Sequence, residues 1–272
     1  MEKKNIDELR KNGIIKIPNF LDTHTLKKFK SFILKEKPAK GTSNSYISKS
    51  YRELTYKLLK LDLIKFQSHY FVLKFAKKKK LKNFSQLYFG KKSYLSMIDG
   101  YYNDQKKFDN KTIIPWHTDM AHGGQTDVSK IKEFPNPLDV SLKFFIYLSD
   151  VYKDNGCMSY VPSSHRITFQ IRKGIYENKI DYSPYCNLSE IKSFLKIKKN
   201  YNYVAQNLDN SEDLDIFLNK VDNLDDLKGF DDYDYNMRAG DAIIFDEGIV
   251  HRGSRLLYTD RIVLRYIYRP YL

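Results

Sequence analysis

The 272-residue chain is 42% hydrophobic and 29% charged, a balance that supports a folded core and excludes a disordered or fibrous protein. No apolar run approaches the roughly 20 residues that a membrane-spanning helix needs, and the first residues lack the apolar segment of a secretory signal. The 2 cysteines are too few for a disulfide framework and fit a reducing compartment. We therefore expect a cytoplasmic protein without a membrane span, folded as one domain over residues 1–272.

The formal net charge of +14 is the strongest compositional signal, and it favours a polyanionic partner such as nucleic acid. Lysine supplies most of this charge, in a chain also rich in Asn, Ile, Tyr and Phe, which all have A/T-rich codons. Genome base composition therefore explains much of the charge without a ligand. Arginine is scarce, and six of the ten arginines lie between Arg238 and Arg269. Because a planar guanidinium binds carboxylate or phosphate in a fixed geometry, this cluster is the more informative signal.

The first ninety residues carry mainly helical patterns. Asp22 precedes one of them at a position that favours an N-cap, and a run of four lysines beginning at Lys77 is interpreted as the solvated end of another. The predicted elements are a strand at 13–18, a helix over 21–33, a helix from 51 to about 77 and a short helix at 81–89.

From about residue 94 the pattern changes to short apolar runs between turn residues, which indicates an antiparallel sandwich or barrel. Strands are predicted near 94–103, 140–148, 158–161, 242–245 and 261–268. An insertion with helical character interrupts them at 177–235, and its second half, 207–235, has ten acids against two lysines. The insertion is open to three interpretations, a lid, a partner surface or a solvated helical face, of which we favour the lid or the solvated face.

The first candidate site is the tetrapeptide Trp116-His117-Thr118-Asp119. Residues two apart in an extended segment share a face, so His117 and Asp119 are predicted to point to the same side. A His-x-Asp pair is a weak signal alone, because it occurs by chance in many chains. With one distant histidine it becomes the two-histidine, one-carboxylate set that holds Fe(II) and leaves coordination positions open.

A suitable distant histidine is His251. It follows a Gly-Asp turn and a short apolar strand, and functional residues often lie at such strand ends. Ten residues later Arg261 begins another predicted strand, on which Arg261, Arg265 and Arg269 share one face. Because a buried arginine is costly unless a carboxylate pairs with it, this face is expected to meet an acidic group.

These stretches together resemble the phytanoyl-CoA dioxygenase family, the PhyH-like branch of the Fe(II)/2-oxoglutarate oxygenases. Their combination and order are more specific than any one of them. The matching stretches are Asn12-Gly-Ile-Ile-Lys-Ile-Pro-Asn-Phe-Leu before a helix, Trp-His117-Thr-Asp119, the strand and Asn-Gly turn from Tyr147 to His165 and Arg166, and the closing block from Gly240 through His251 to Arg261.

The resemblance implies a mainly β protein with flanking helices, whose core is a double-stranded β-helix (jelly-roll, cupin-like) carrying the helical insertion. It implies His117, Asp119 and His251 as iron ligands and Arg261 as the partner of the distal carboxylate of 2-oxoglutarate. The implied cofactors are Fe(II), 2-oxoglutarate and O2, with succinate and CO2 released as a C–H bond is oxidised. Related halogenases lack the carboxylate ligand, so Asp119 favours hydroxylation.

Two departures from the family pattern affect the details. The family usually has Ser two residues after the distal histidine, whereas here Ser254 follows His251 by three, and it is the remaining candidate for a second co-substrate contact. Pro-Ser-Ser-His ending at His165 replaces the common Pro-Gly-Ser-His, and the insertion at 177–235 matches no part of the family pattern.

Four further residues near these motifs are candidates for substrate contact. Trp116 is expected either to wall the pocket or to pack in the core. Lys143 is expected either to point inward toward a carboxylate or, as the preferred prediction, to point outward into solvent. Arg265 is expected to pair with an acid such as Asp246 or Glu247, or to bind an anionic substrate. The remaining histidines are interpreted as structural at 165 and as structural or solvent-facing at 24 and 69. The four candidates are Trp116, His122, Lys143 and Arg265.

The sequence therefore predicts hydroxylation of an unactivated C–H bond in a small metabolite or a conjugated substrate, including an anionic one. The alternatives are the same iron chemistry on a nucleic acid or protein, and a non-enzymatic basic nucleic-acid-binding protein suggested by the charge, 22 tyrosines and 17 phenylalanines. A nucleic-acid partner is disfavoured, because no contiguous basic and aromatic track lies beside the metal motif. Substrate identity and oligomeric state stay open.

Overall fold

The computed structural model describes residues 3–35, 63–119 and 140–271. Within these ranges the chain forms eight α-helices, a short 3-10 helix and nine strands. The helices are α1 (Lys3–Asn12), α2 (Thr23–Lys35), α3 (Leu63–Lys78), α4 (Leu81–Phe89), α5 (Ser164–Tyr176), α6 (Leu188–Lys196), α7 (Lys198–Gln206) and α8 (Glu212–Asp222). The strands are β1 (Ile14–Ile17), β2 (Ser93–Asn103), β3 (Ile114–His117), β4 (Leu142–Tyr147), β5 (Met158–Tyr160), β6 (Asp234–Tyr235), β7 (Ala242–Asp246), β8 (His251–Gly253) and β9 (Arg261–Pro270).

The strands form two antiparallel sheets. The five-stranded sheet has the order β1-β7-β4-β9-β2, and the four-stranded sheet has the order β3-β8-β5-β6. Apart from β1 with β2 and β5 with β6, strands that follow each other in the described chain lie in different sheets, so the chain winds back and forth between the two layers. This is the expected double-stranded β-helix with flanking helices, and the predicted fold class is confirmed.

The five-stranded sheet separates a helical layer from the space between the sheets. Alternate residues of β4, β7 and β9, among them Phe144, Ile244 and Tyr266, are buried in one cluster with the apolar faces of α1, α2, α3 and α4. The other residues of the same strands face the four-stranded sheet, where Tyr147 and Phe245 belong to a second cluster. The alternation predicted for Arg261 to Arg269 is therefore present in β9.

The insertion covers the outer face of the four-stranded sheet. Its helices α6, α7 and α8, with the preceding α5, bury their apolar faces in a cluster that also contains Trp116, Val161 and Val250. Eight of the ten acids in 207–235 are exposed, as the solvated-face interpretation expects. Of the two favoured interpretations, the lid is the one that the structure does not support, because the described residues that line the cavity between the sheets include none from 177–235.

Most predicted elements occur within two residues of their expected bounds. Asp22 caps α2, since its Oδ1 accepts a 2.7 Å hydrogen bond from the backbone N–H of Thr25, and the lysine run ends α3 with Lys80 in the left-handed region. The first part of the helix predicted from residue 51 lies outside the described residues. Helices α1 and α5 were not predicted, although Ile6 and Leu9 give α1 a short apolar face.

None of the helices in the described ranges combines the length and the hydropathy that a membrane-spanning segment needs.

Candidate metal centre

Three side chains predicted as metal ligands converge between the two sheets. His117 ends β3 and His251 begins β8, and the two residues lie directly opposite each other in this strand pair. Asp119 follows β3, with its Oδ1 3.5 Å from Nε2 of His117 and its Oδ2 3.3 Å from Nε2 of His251. One donor atom from each residue lies within 4.8 Å of the others. Since protein ligands bind a divalent ion at about 2.0–2.2 Å, one ion can contact all three atoms.

Both histidine rings are oriented by hydrogen bonds on the side away from the cluster. Nδ1 of His117 is 2.8 Å from the carbonyl oxygen of Pro115, and Nδ1 of His251 is 2.9 Å from that of Ile249. A carbonyl oxygen only accepts, so each Nδ1 carries the proton and donates, and each Nε2 retains its lone pair. Burial lowers the pKa of His251, and its neighbour His117 lowers it further. The neutral form, which binds metal, is therefore favoured.

Lys143 reaches this cluster from β4, and the preference for an outward side chain was wrong. Its residue is 4% exposed, and its Nζ lies 2.5 Å from Oδ2 of Asp119 and 3.0 Å from Oε1 of Glu247. Burial opposes a charged ammonium, but the carboxylates of Asp119 and Glu247 outweigh it and raise the pKa of Lys143. Burial likewise opposes the ionised Asp119, yet Lys143 and His251 hold its pKa well below the ordinary value. The lysine therefore balances two carboxylates, of which Glu247 is buried and Asp119 is partly exposed.

Replacing Lys143 with methionine is expected to lower the free energy of unfolding of the metal-free protein by about 3–5 kcal/mol, because Asp119 and Glu247 lose their buried counter-charge. A divalent cation at the cluster replaces part of that charge. Saturating Co(II) is therefore expected to raise the melting temperature of Lys143→Met more than that of the wild type. Thermal denaturation with and without Co(II) measures both effects.

Lys153→Met is the matched control for this prediction. Lys153 also forms an ion pair, at 2.9 Å from Asp231, but both side chains are exposed, so its loss is expected to cost less than about 1 kcal/mol. An equal Co(II)-dependent shift in Lys143→Met and the wild type would show that Lys143 and the metal do not compete for the same carboxylate.

Arg261 lies in the space between the sheets without an ionic partner in the described part of the chain. It is 7% exposed, and its Nε has no hydrogen-bond partner among the described residues. Its guanidinium carbon lies 5.7 Å from the ring centroid of Tyr147. Burial raises the pKa of Tyr147 to about 12, so the phenol stays neutral and offers no charge. A buried arginine in this state fits an incoming carboxylate or phosphate.

Arg261 and the three candidate ligands line one cavity of about 260 Å³. Asn103 stands opposite Arg261 in the β2–β9 pair, and its Oδ1 is also buried without a partner among the described residues. The remaining wall is largely apolar. Its described apolar and aromatic residues are Tyr101, Phe108, Ile113, Ile114, Phe145 and Met158.

Arg265 also lines this cavity, but a carboxylate already holds it. Its Nε donates to Oδ1 of Asp99 at 2.7 Å and its Nη2 donates to Oδ2 of the same residue. Pairing with an acid such as Asp246 or Glu247 was expected. The partner is an acid, but it is Asp99, because β2 places Asp99 directly across from Arg265. Arg269 is exposed, and its Nε donates to Ser141 at 2.9 Å. Of the three arginines on this face, Arg261 is the one left for a ligand.

The remaining predicted contacts lie away from the cavity or outside the described residues. Trp116 is 2% exposed and packs with the insertion, so the core interpretation holds. Ser254 is buried and accepts a 3.5 Å hydrogen bond from Cys157 Sγ, and it is not among the described cavity residues. His165 has its Nε2 3.1 Å from the carbonyl oxygen of Arg10, in a structural position. His122 lies outside the described residues.

Three residues of the site were not singled out in the sequence as parts of it: Asp99, Tyr101 and Asn103. They occupy alternate positions of β2, and the register places them opposite Arg265, Val263 and Arg261. The period-two pattern of β2 could have predicted that these three residues share a face of the strand. It could not have predicted that this face is the one directed toward the metal ligands.

A family model described as phytanoyl-CoA dioxygenase (PhyH) matches residues 9–257 of the chain. No curated protein sequence matches the chain.

Several solved structures are similar to nearly the whole chain. The 2-oxoglutarate-dependent epimerase SnoN from nogalamycin biosynthesis is 13% identical, with a TM-score of 0.53 over 99% of this chain and 82% of that one. HygX from Streptomyces hygroscopicus, solved with nickel and 2-oxoglutarate bound, is 15% identical, with a TM-score of 0.51 over 99% and 87%. The carbocyclase SnoK from nogalamycin biosynthesis is 15% identical, with a TM-score of 0.51 over 99% and 84%. At these identities the similarity establishes the fold.

Proposed function

Because the chain belongs to the phytanoyl-CoA dioxygenase family, we propose that it is an Fe(II)- and 2-oxoglutarate-dependent oxygenase that hydroxylates an unactivated C–H bond. The observation that carries the proposal is a three-ligand cluster beside a buried arginine without a carboxylate partner among the described residues. The cluster fits Fe(II), and the arginine fits the distal carboxylate of 2-oxoglutarate. Structures of HygX with nickel and 2-oxoglutarate and of SnoN with Fe3+ and alpha ketoglutarate support this assignment.

His117, Asp119 and His251 would hold the metal ion. The two Nδ1 hydrogen bonds fix the imidazole planes, and Lys143 holds one oxygen of Asp119 at 2.5 Å. We propose that this contact favours one-oxygen binding by Asp119 and so keeps other coordination positions open. When bound, Fe(II) with 2-oxoglutarate and O2 places one oxygen atom in succinate, as CO2 leaves, and the other in the oxidised substrate.

Arg261 is proposed to orient 2-oxoglutarate. Its side chain is buried, and its Nε has no hydrogen-bond partner among the described residues, which suits a bidentate contact with a carboxylate. Since Arg261 and the ligand cluster line the same cavity, a dicarboxylate held by the arginine can present its 2-oxo acid end to the cluster. This arrangement discriminates against 2-oxo acids that lack the distal carboxylate.

The proposed substrate is a small metabolite or a conjugated molecule that presents an apolar portion to the site. The aromatic and aliphatic wall, which includes Tyr101, Phe108 and Phe145, disfavours water near the reacting carbon. Arg265 is already neutralised by Asp99, so an anionic group on the substrate would have to displace an existing ion pair. Asp119 fills the ligand position that a halide would need, which favours hydroxylation over halogenation.

The first test is the visible absorption band that forms when 2-oxoglutarate chelates Fe(II) under anaerobic conditions. The wild type is expected to show the band, and a His117→Ala protein is expected not to. In air, consumption of 2-oxoglutarate over metabolite pools identifies the substrate. With ¹⁸O2, hydroxylation labels both succinate and product. A product that gains no oxygen atom would show that the enzyme catalyses another oxidation instead of hydroxylation. Absence of the band in the wild type would overturn the assignment.

A further inference from the structure

Each histidine ligand has a buried neighbour in its own strand, and the side chain of that neighbour lies on the opposite face of the strand. Trp116 precedes His117 in β3, and Arg252 follows His251 in β8, so both side chains extend from the face opposite the histidine rings. Trp116 is 2% exposed and Arg252 is 0% exposed. A fully buried arginine needs several partners, and these partners identify what the outer face of the strand pair contacts.

Trp116 and Arg252 bind the same two residues of the acidic insertion, Asp225 and Asp226. The backbone N–H of Trp116 donates to Oδ1 of Asp226 at 2.9 Å, and its indole Nε1 donates to the carbonyl oxygen of Asp225 at 2.9 Å. Nη1 of Arg252 donates to the carbonyl oxygens of Asp225 and Asp226 at 3.1 and 2.7 Å. We call residues 225 and 226 the acidic loop. Four hydrogen bonds thus join it to the two ligand strands.

Arg252 is held on its other sides as well. Its Nε donates to Oγ of Ser159 at 3.0 Å in β5, and its Nη2 lies 3.6 Å from Oδ1 of Asp234 in β6. Its guanidinium carbon is 5.4 Å from the ring centroid of Trp116. The planar fork therefore connects β8, β5, β6 and the acidic loop, and the single ammonium of a lysine could not make these contacts together.

Strand β3 depends on these contacts because it is the edge strand of its sheet. Only β8 pairs with it along one side, and on the other side Asp226 accepts the N–H of Trp116 while the carbonyl oxygen of Cys186 accepts that of Thr118 at 2.8 Å. The residues on both sides of His117 are thus bound to the insertion. Metal sites need their ligands held within about 0.5 Å of the productive geometry.

We propose that Arg252 and the acidic loop are a positioning element that fixes His117 and His251 at the separation the metal requires. The proposal rests on the proposed metal site and assigns a role to the acidic insertion. The insertion acts from the outer face of the sheet, through the residues adjacent to the two ligands, and contacts neither metal nor substrate.

Trp116 is the only tryptophan of the chain, so its fluorescence reports on the contact in the metal-free protein. Asp226→Ala removes the hydrogen bond that Asp226 accepts from the backbone N–H of Trp116. The variant is expected to fold, because Asp226 is exposed. It is expected to shift the Trp116 emission to longer wavelength. It is also expected to weaken Co(II) binding about 10-fold, which is the lower end of the loss seen when a residue that supports a metal ligand is removed. Asp226→Asn keeps an acceptor oxygen and is expected to restore both values.

Arg252→Met is expected to have a larger effect, near 100-fold on the Co(II) dissociation constant, with a changed Co(II) visible spectrum at saturation. The matched control is Asp222→Ala, which removes an exposed acid of the same insertion that is paired with Lys192 at 2.8 Å, away from β3 and β8. It is expected to leave the emission and the Co(II) affinity unchanged. Calorimetric titration with Co(II) alone gives the dissociation constants.

Wild-type Co(II) affinity in both Asp226→Ala and Arg252→Met, or in Asp226→Ala alone if Arg252→Met fails to fold, would overturn the positioning role, even if their melting temperatures fall. An affinity loss of the same size in Asp222→Ala would also overturn it, by attributing the effect to general loosening of the insertion. Failure of the metal site itself is distinguishable, because His251→Ala would then bind Co(II) as the wild type does.

Discussion

A His251→Ala protein is expected to bind Co(II) more than about 100-fold more weakly than the wild type. Loss of a residue that only hydrogen-bonds a metal ligand lowers metal affinity roughly 10–100-fold, and this change removes a ligand itself. The anaerobic Fe(II) and 2-oxoglutarate absorption band should be lost with it. The ring is buried and 4.3 Å from that of His117, so alanine leaves a space at the centre of the cluster. Calorimetry and visible spectroscopy measure the two losses.

The matched control is His24→Ala, which removes an exposed histidine near the start of α2. It is expected to retain Co(II) affinity and the absorption band. Circular dichroism of both variants separates ligand loss from unfolding. If His251→Ala binds Co(II) with wild-type affinity while folded, the three-residue cluster is not the metal site.

An Arg261→Met protein is expected to raise the KM for 2-oxoglutarate about 100-fold, since hydrogen bonds to charged groups contribute about 1.5–3 kcal/mol each. A 2-oxo acid without the distal carboxylate should lose no affinity. The same change is expected to raise the melting temperature of the ligand-free protein, because Arg261 is 7% exposed and has no carboxylate partner in the described part of the chain. Steady-state kinetics with both 2-oxo acids and thermal denaturation measure these effects.

Arg269→Met is the control on the same strand. Arg269 is exposed and donates through Nε to Ser141 at 2.9 Å, so its loss is expected to change neither KM nor the choice of 2-oxo acid. A wild-type KM for 2-oxoglutarate in Arg261→Met would show that another residue binds the distal carboxylate. A fall in kcat with an unchanged KM would indicate a role after co-substrate binding.

Much of the fold followed from local patterns. The strands with clear alternation, such as β2 and β9, and the helix capped by Asp22 occur as predicted, because a half-buried surface imposes a period of 2 or 3.6 on its residues. Strand β8 was missed, since its 3 residues are too few to display a period. Helix α1 was missed because its buried face consists of Ile6 and Leu9 alone. Their stability comes from packing against the sheets rather than from local preference.

The candidate site was predicted where residues are close in sequence or where the family resemblance supplied them. His117, Asp119, His251 and Arg261 line one cavity. The direction of Lys143 was predicted wrongly, because a single lysine on an alternating strand is more often solvated. Its partners Asp119 and Glu247 are 24 and 104 positions away in the printed sequence, and no local pattern encodes such a pairing.

By itself, the sequence predicted the fold class, the candidate ligand residues and the candidate arginine, because periodicity and short motifs are local properties and their order resembles a known family. The tertiary structure decided which charges are already paired. It showed that Asp99 neutralises Arg265, that Arg261 has no such partner among the described residues, and that the acidic loop binds Trp116 and Arg252. These facts depend on strand register and sheet packing, which bring residues more than one hundred positions apart within hydrogen-bond distance.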